Sequence, residues 1–111
     1  MRTIVAGFIT LSLCSSVAAD CSPDWCFDVQ VDRLYPNANG MIYIGTTGDE
    51  TKLNCTAPGG VYLTLNSTDA GRDVIYSTFL SAMVTGKKVG IQVTDGSTDC
   101  RIQYVVLDRA G

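Results

Sequence analysis

The sequence predicts a mostly β domain with one helix, in the order β-β-β-α-β-β. Three observations carry this. Apolar and polar residues alternate with a period of two both before and after a single helical stretch. That stretch, Asp73 to Thr85, places apolar residues at spacings of three and four. Clusters of Pro, Gly, Asn and Asp separate the β-type runs.

The first strand begins at Trp25. Phe27, Val29 and Val31 alternate with Cys26, Asp28, Gln30 and Asp32, which puts Cys26 on the more polar face. Leu34 and Tyr35 continue the apolar signal, and Pro36-Asn37-Ala38-Asn39-Gly40 closes it with a turn. Met41 to Thr46 is the second strand, rich in β-branched and aromatic residues. Thr47 to Lys52 reads as a polar loop or hairpin tip, and Pro58-Gly59-Gly60 as another turn. Val61 to Leu65 alternates again and forms the third strand.

Asn66, Ser67, Thr68 and Asp69 offer N-cap side chains for the helix. Ile75, Phe79, Ala82 and Met83 mark its buried stripe, widened by Val74, Tyr76, Leu80 and Val84. Gly86 suits the left-handed position that ends a helix, and Lys87 and Lys88 complement its negative end. The stripe is broader than one face of so small a domain needs, so Tyr76, Leu80 and Val84 are candidates for an interface between subunits. Val89, Ile91 and Val93 define the fourth strand, and Asp95 to Asp99 a turn. The closing strand from Cys100 to Leu107 is apolar on both faces in its second half, which predicts a central position or a subunit contact. This order fits a small five-stranded Greek-key barrel of the oligonucleotide/oligosaccharide-binding (OB) type. An open α+β two-layer sheet with one covering helix is the alternative.

The first residues read as a signal peptide. Arg2 supplies the charge, Ile4 to Leu13 the short apolar region, and Val17-Ala18-Ala19 the small-residue site. Leu13 before Cys14 argues against lipoprotein processing there. Cleavage after Ala19 leaves 111 − 19 = 92 residues from Asp20, so residues 20–111 form a single domain. The expected location is periplasmic or secreted, with no transmembrane segment in the mature chain.

Cys21, Cys26, Cys55 and Cys100 then remain, an even number in an oxidising compartment, which reads as two disulfides. Three pairings are open, and a local Cys21–Cys26 staple with a long Cys55–Cys100 bridge is favoured. No Cys-x-x-Cys pair supports a zinc site. Losing Arg2 leaves seven basic and 11 acidic residues, a net 7 − 11 = −4, which argues against a nucleic-acid partner.

Catalytic chemistry has little to build on. The chain has no histidine, so its many Ser and Thr hydroxyls lack the usual base. Asp24, Asp28 and Asp32 share one face of the first strand in this reading. A solvated face explains them better than paired glycosidase carboxylates. Asp95-x-Ser97-x-Asp99 lacks the glycine and glutamate of a calcium loop. The reading is therefore non-enzymatic, with no catalytic, cofactor or metal residue assigned. Tyr43, Tyr62 and Tyr104 read as core residues, whereas Trp25 and Tyr35 are candidates for a ligand surface. Asn54-Cys55-Thr56 and Asn66-Ser67-Thr68 are glycosylation sequons.

Two segments carry a family resemblance. They are Tyr76-x-x-x-Leu80-x-x-x-x-x-Gly86-Lys87-Lys88-Val89-x-Ile91-x-Val93 and Cys100-x-Ile102-x-Tyr104-Val105. The chain resembles the B subunits of bacterial AB5 toxins over Phe27 to Asp108. It looks most like small relatives of the subtilase-cytotoxin and pertussis-type B subunits. The resemblance implies an OB-fold protomer in a homopentameric ring that binds cell-surface glycans. It also implies a helix lining the central channel and strands paired across subunit edges. No sugar-contacting residue of the family maps onto a distinct motif in this chain.

Overall fold

The structure, a computed structural model, describes residues 19–109, so the expected signal peptide, with Cys14, lies outside the described residues apart from Ala19. Six strands and one α-helix follow in order: β1 (Asp20–Cys21), β2 (Trp25–Pro36), β3 (Ile42–Thr46), β4 (Leu63–Leu65), α1 (Arg72–Thr85), β5 (Lys88–Val93) and β6 (Ile102–Leu107). The architecture is mostly β with one helix, in the predicted order, with the two-residue β1 added at the front.

All neighbouring strands are antiparallel, in the path β4-β3-β2-β5-β6, with β1 on β2. The sheet does not close into a continuous barrel. Its two ends touch at one parallel bridge, Thr64 to Arg101, where the Thr64 amide donates to the Cys100 carbonyl at 3.1 Å. The long β2 makes this wrapping possible. Its first half pairs with β5 and its second half with β3.

Two irregularities in β2 turn the strand between its partners, and both overturn details of the alternation. Asp28 sits at φ 52°, and the pairing with β5 shifts between Cys26 and Val29. One extra residue flips the side-chain register. Cys26 therefore points into the core with Val29 and Val31 and is fully buried, not on the polar face. The same bulge separates the three aspartates that simple alternation puts on one face. Asp24 accepts a hydrogen bond from Gln92 Nε2 at 2.8 Å, whereas Asp28 and Asp32 border different cavities. The second shift lies between Val31 and Arg33 and leaves Asp32 as its unpaired residue.

Helix α1 turns Phe79 and Ala82 into the core, with Ile75 and Tyr76 half-buried against it. Met83, expected in that stripe, is exposed. None of the predicted N-cap side chains caps the helix. The cap position is Gly71, and Asp69 instead accepts from the Asn66 amide at 2.7 Å and from the Arg101 guanidinium. Gly86 at φ 70° ends the helix as expected, with its own amide and that of Lys87 returning to the last turn. Lys87 Nζ donates to the Arg109 carbonyl at 2.9 Å.

Strand β6 is an edge strand, not a central one. Ile102 is buried and Val105 and Leu107 pack on the core, while Tyr104 and Val106 face outward and are exposed. Both favoured disulfides are formed, Cys21–Cys26 and Cys55–Cys100.

Candidate functional site

The polar loop after β3 is where the structure departs most usefully from the sequence reading. It contains a 3-10 turn, Glu50–Lys52, started by Asp49, whose side chain accepts from the Thr51 amide. The turn carries Glu50 back beneath the end of β3, where it is only 3% exposed. Its Oε2 accepts from the Thr46 amide at 3.1 Å and from the Thr46 hydroxyl. That hydroxyl in turn accepts from the Gly48 amide at 3.1 Å.

Glu50 borders a cavity of about 410 Å³, together with Asp32, Arg33, Gly45, Thr46 and Tyr62. The bulge in β2 supplies Asp32 and Arg33, and the end of β3 supplies Gly45 and Thr46. Arg33 Nη1 donates to the Tyr62 hydroxyl at 3.0 Å, bridging β2 to the segment before β4. Gly45 clears the floor. A Cβ there would lie 3.2 Å from Asp32 Oδ1 and 3.3 Å from Arg33 Cβ, tight enough that both neighbours would have to yield. Tyr62 lines the cavity and belongs to a cluster of three tyrosines. Tyr35, Tyr43 and Tyr62 have ring centroids 5.3 to 5.8 Å apart, in tilted and edge-to-face arrangements. Tyr35 is 47% exposed and lies at the outer side of this cluster, outside the cavity lining.

Burial pushes the Glu50 carboxyl above the ordinary carboxylate range, against the hydrogen bonds from Thr46 that favour its charged form. The hydrogen bond to Tyr62 raises Arg33, so its guanidinium stays charged. A carboxyl raised in the folded state binds protons more tightly there than in the unfolded chain. Its stabilising contribution is therefore full at low pH and is lost as pH rises from the ordinary 4.5 through the raised folded value. Three aspartates act in the opposite window. Asp20 is lowered by the Cys21 amide and Lys52, and Asp49 by Thr51. Asp69 is raised by burial, but its hydrogen bonds from Arg101 and Asn66 outweigh that and leave it below normal. Their stabilisation is lost as pH falls below the ordinary 3.8. Urea midpoints measured upward from pH 4.5 are thus expected to fall for the native chain. Those of Glu50→Gln, whose amide oxygen still accepts from Thr46, should stay flat over that range.

The two candidates for a ligand surface are not brought together. Trp25 and Tyr35 lie at opposite ends of β2, ten residues apart, which at about 3.3 Å per residue is on the order of 30 Å. Trp25 lies against β5, and a Cβ on Gly90 would meet its Cη2 at 2.8 Å, so only glycine admits the ring there. With Phe27 and Val106 it borders a smaller cavity of about 150 Å³. Tyr62 and Tyr104, expected in the core, are half-buried and exposed respectively.

The interface candidates divide as well. Tyr76 packs against the core, but Leu80 is 44% and Val84 74% exposed, and Val74 and Met83 are exposed beside them. The residues from Val74 to Gly86 include no charge. The cleft residues Asp32, Arg33, Gly45 and Glu50 were not legible as a site. The one available signal was the adjacent charged pair Asp32-Arg33, which breaks the alternation of a strand and marks a bulge.

Among the described residues no helix is long and apolar enough to cross a membrane. The two disulfides fit a periplasmic or extracellular protein. No protein-family model, no curated protein and no solved structure matches the chain.

Proposed function

We propose that this chain is an exported, non-enzymatic binding protein that acts as a self-associated ring and presents the cleft lined by Asp32, Arg33, Glu50 and Tyr62 to a cell-surface glycan. The observation that carries the assembly is the outer face of α1. An exposed helix face without a charged residue from Val74 to Gly86, carrying Val74, Leu80, Met83 and Val84, supports coverage by another chain. The occupant is a second copy of the chain, in line with the ring implied by the resemblance to toxin B subunits. The homopentamer is the assembly that resemblance favours. For the ligand, aromatic faces beside carboxylates and an arginine are the groups that take up a sugar's C–H face and its hydroxyls.

Native mass spectrometry of the mature protein tests the assembly, and a strictly monomeric protein would remove the ring. In Leu80→Glu/Val84→Glu, a charge on the buried face is expected to weaken self-association at least about 30-fold, from the ~2 kcal/mol that losing a hot-spot residue costs. The monomer's circular dichroism should be unchanged, because neither side chain packs in the core.

A second reading rests on a different surface. The free edge of β6 with exposed Tyr104 and Val106 also suits the docking of an unrelated protein as an added strand. On that reading the chain is a structural or inhibitory protein. Copurification of a stoichiometric partner that protects β6 amides from exchange would favour it.

A further inference from the structure

We infer that the cavity beside Trp25 is a second binding site, one that takes the methylated head of a quaternary ammonium compound. It lies at the other end of β2 from the cleft, and the glycan reading neither requires it nor supports it. Trp25, Phe27 and Val106 give the cavity an apolar wall. Gly90 is what admits the indole, since a Cβ there would lie 2.8 Å from the ring. The volume of about 150 Å³ is several times the roughly 30 Å³ of a water molecule and below the roughly 300 Å³ at which drug-sized sites begin. A small head group fits it.

Charge decides which kind of head group. Asp28 and Asp108 border the same cavity, and Lys88 is the one cation there, so the lining carries a net negative charge. Among the described residues none of the three enters an ion pair. Asp28 sits at φ 52°, a left-handed conformation that glycine takes without strain. The bulge in β2 needs no carboxylate at that position, and a charge beside the indole is what aspartate adds over glycine. A metal ion needs oxygen ligands on several sides, and no group of three metal-ligating side chains occurs among the described residues. A primary ammonium needs acceptors that an apolar wall does not offer. A quaternary ammonium carries its charge beneath methyl groups. Those pack against aromatic rings, tryptophan best of all, while the two carboxylates supply the counter-charge.

Trp25 is the only tryptophan in the chain, so its fluorescence reports this cavity alone. The test titrates the mature protein at low ionic strength with choline and with its uncharged isostere, in which a tert-butyl group replaces the trimethylammonium. Choline should give a saturable change, with an affinity at least about fivefold above the isostere's. Asp28→Asn keeps the size and tolerates the left-handed backbone, and it should weaken choline binding at least about threefold, as should Asp108→Asn. Lys88→Gln removes a competing cation and should tighten it at least about twofold. Phosphatidylcholine vesicles then separate two sources of the head group. Cosedimentation that choline competes away assigns it to a lipid, and choline binding without cosedimentation assigns it to a soluble molecule. Absence of a saturable change with choline overturns the inference. An equal response to the isostere also overturns it, because the cavity is then an apolar slot indifferent to charge. So does choline binding that survives both aspartate changes with the fold intact by circular dichroism, or that weakens in Lys88→Gln.

Discussion

Phe79→Ala is expected to lower the free energy of unfolding by about 3–5 kcal/mol, the range for deleting a buried phenylalanine. Phe79 is the largest fully buried side chain in the domain, and it sits on the single helix that covers the sheet. The core around it is made of smaller residues, chiefly Val29, Ile44, Leu63, Leu65 and Ile91, drawn from strands already fixed by hydrogen bonds. Such a frame cannot collapse freely into the void. A small domain has about 5–15 kcal/mol in all, so this one change removes a large share of it. Urea unfolding measures the loss, and a change below about 1 kcal/mol would mean that the helix is anchored by other contacts. The adjacent Leu80 provides the contrast. It points outward, so Leu80→Ala is expected to change the monomer by no more than about 0.5 kcal/mol, the ordinary effect of a surface substitution. Its cost should appear in self-association instead. Two neighbouring apolar residues thus separate folding from assembly.

Elements with a clear period were legible in the sequence, and those whose conformation depends on a distant partner were not. The helix from Asp73 and its Gly86 stop follow from local chemistry alone, because spacing and a left-handed glycine need no tertiary information. The favoured cysteine pairing, a local Cys21–Cys26 staple and a long Cys55–Cys100 bridge, is the one the structure forms. Cys26 was misplaced because a single-residue bulge at Asp28 reverses the faces of a strand, and no local pattern announces it. Asp69 looked like a helix cap because its type and position suit one. The Arg101 guanidinium, 32 positions away in sequence, claims it instead. Glu50 lay in a run of Thr, Gly, Asp and Lys that resembles any solvated loop. Its burial depends on the Thr46 amide and hydroxyl lying directly over it, which is a property of the folded end of β3. The cleft was hidden for that reason. Its residues come from one bulge, one strand end and one tight turn, and none of these carries a motif.

Removing the Cys55–Cys100 bridge, as Cys55→Ala/Cys100→Ala, is expected to destabilise the domain by about 4 kcal/mol in the chain-entropy treatment. The bridge spans a sequence separation of 45, against five for Cys21–Cys26, whose loss should cost about half as much by the same treatment. Its position adds a local consequence. Cys100 lies at the one place where the two ends of the sheet touch, its carbonyl accepting from the Thr64 amide while the Asp99 carbonyl accepts from the Thr64 hydroxyl at 3.0 Å. On the other side of the bridge, Asn54 ties into the β5–β6 turn through Asp95 at 2.6 Å and Gly96 at 2.6 Å. With the disulfide gone, these bonds, the Arg101–Asp69 pair, the Thr56 amide on the Ser97 carbonyl and the Asn66 amide group on Asp99 must hold the ends together. Amide exchange at Thr64 and Gly96 is therefore expected to accelerate well before exchange at Val89 and Ile91 in the middle of the sheet. Uniform acceleration at all four sites would mean that the bridge acts only on the unfolded chain. Selective opening at Thr64 and Gly96 would identify it as the clasp that converts an open sheet into a wrapped one.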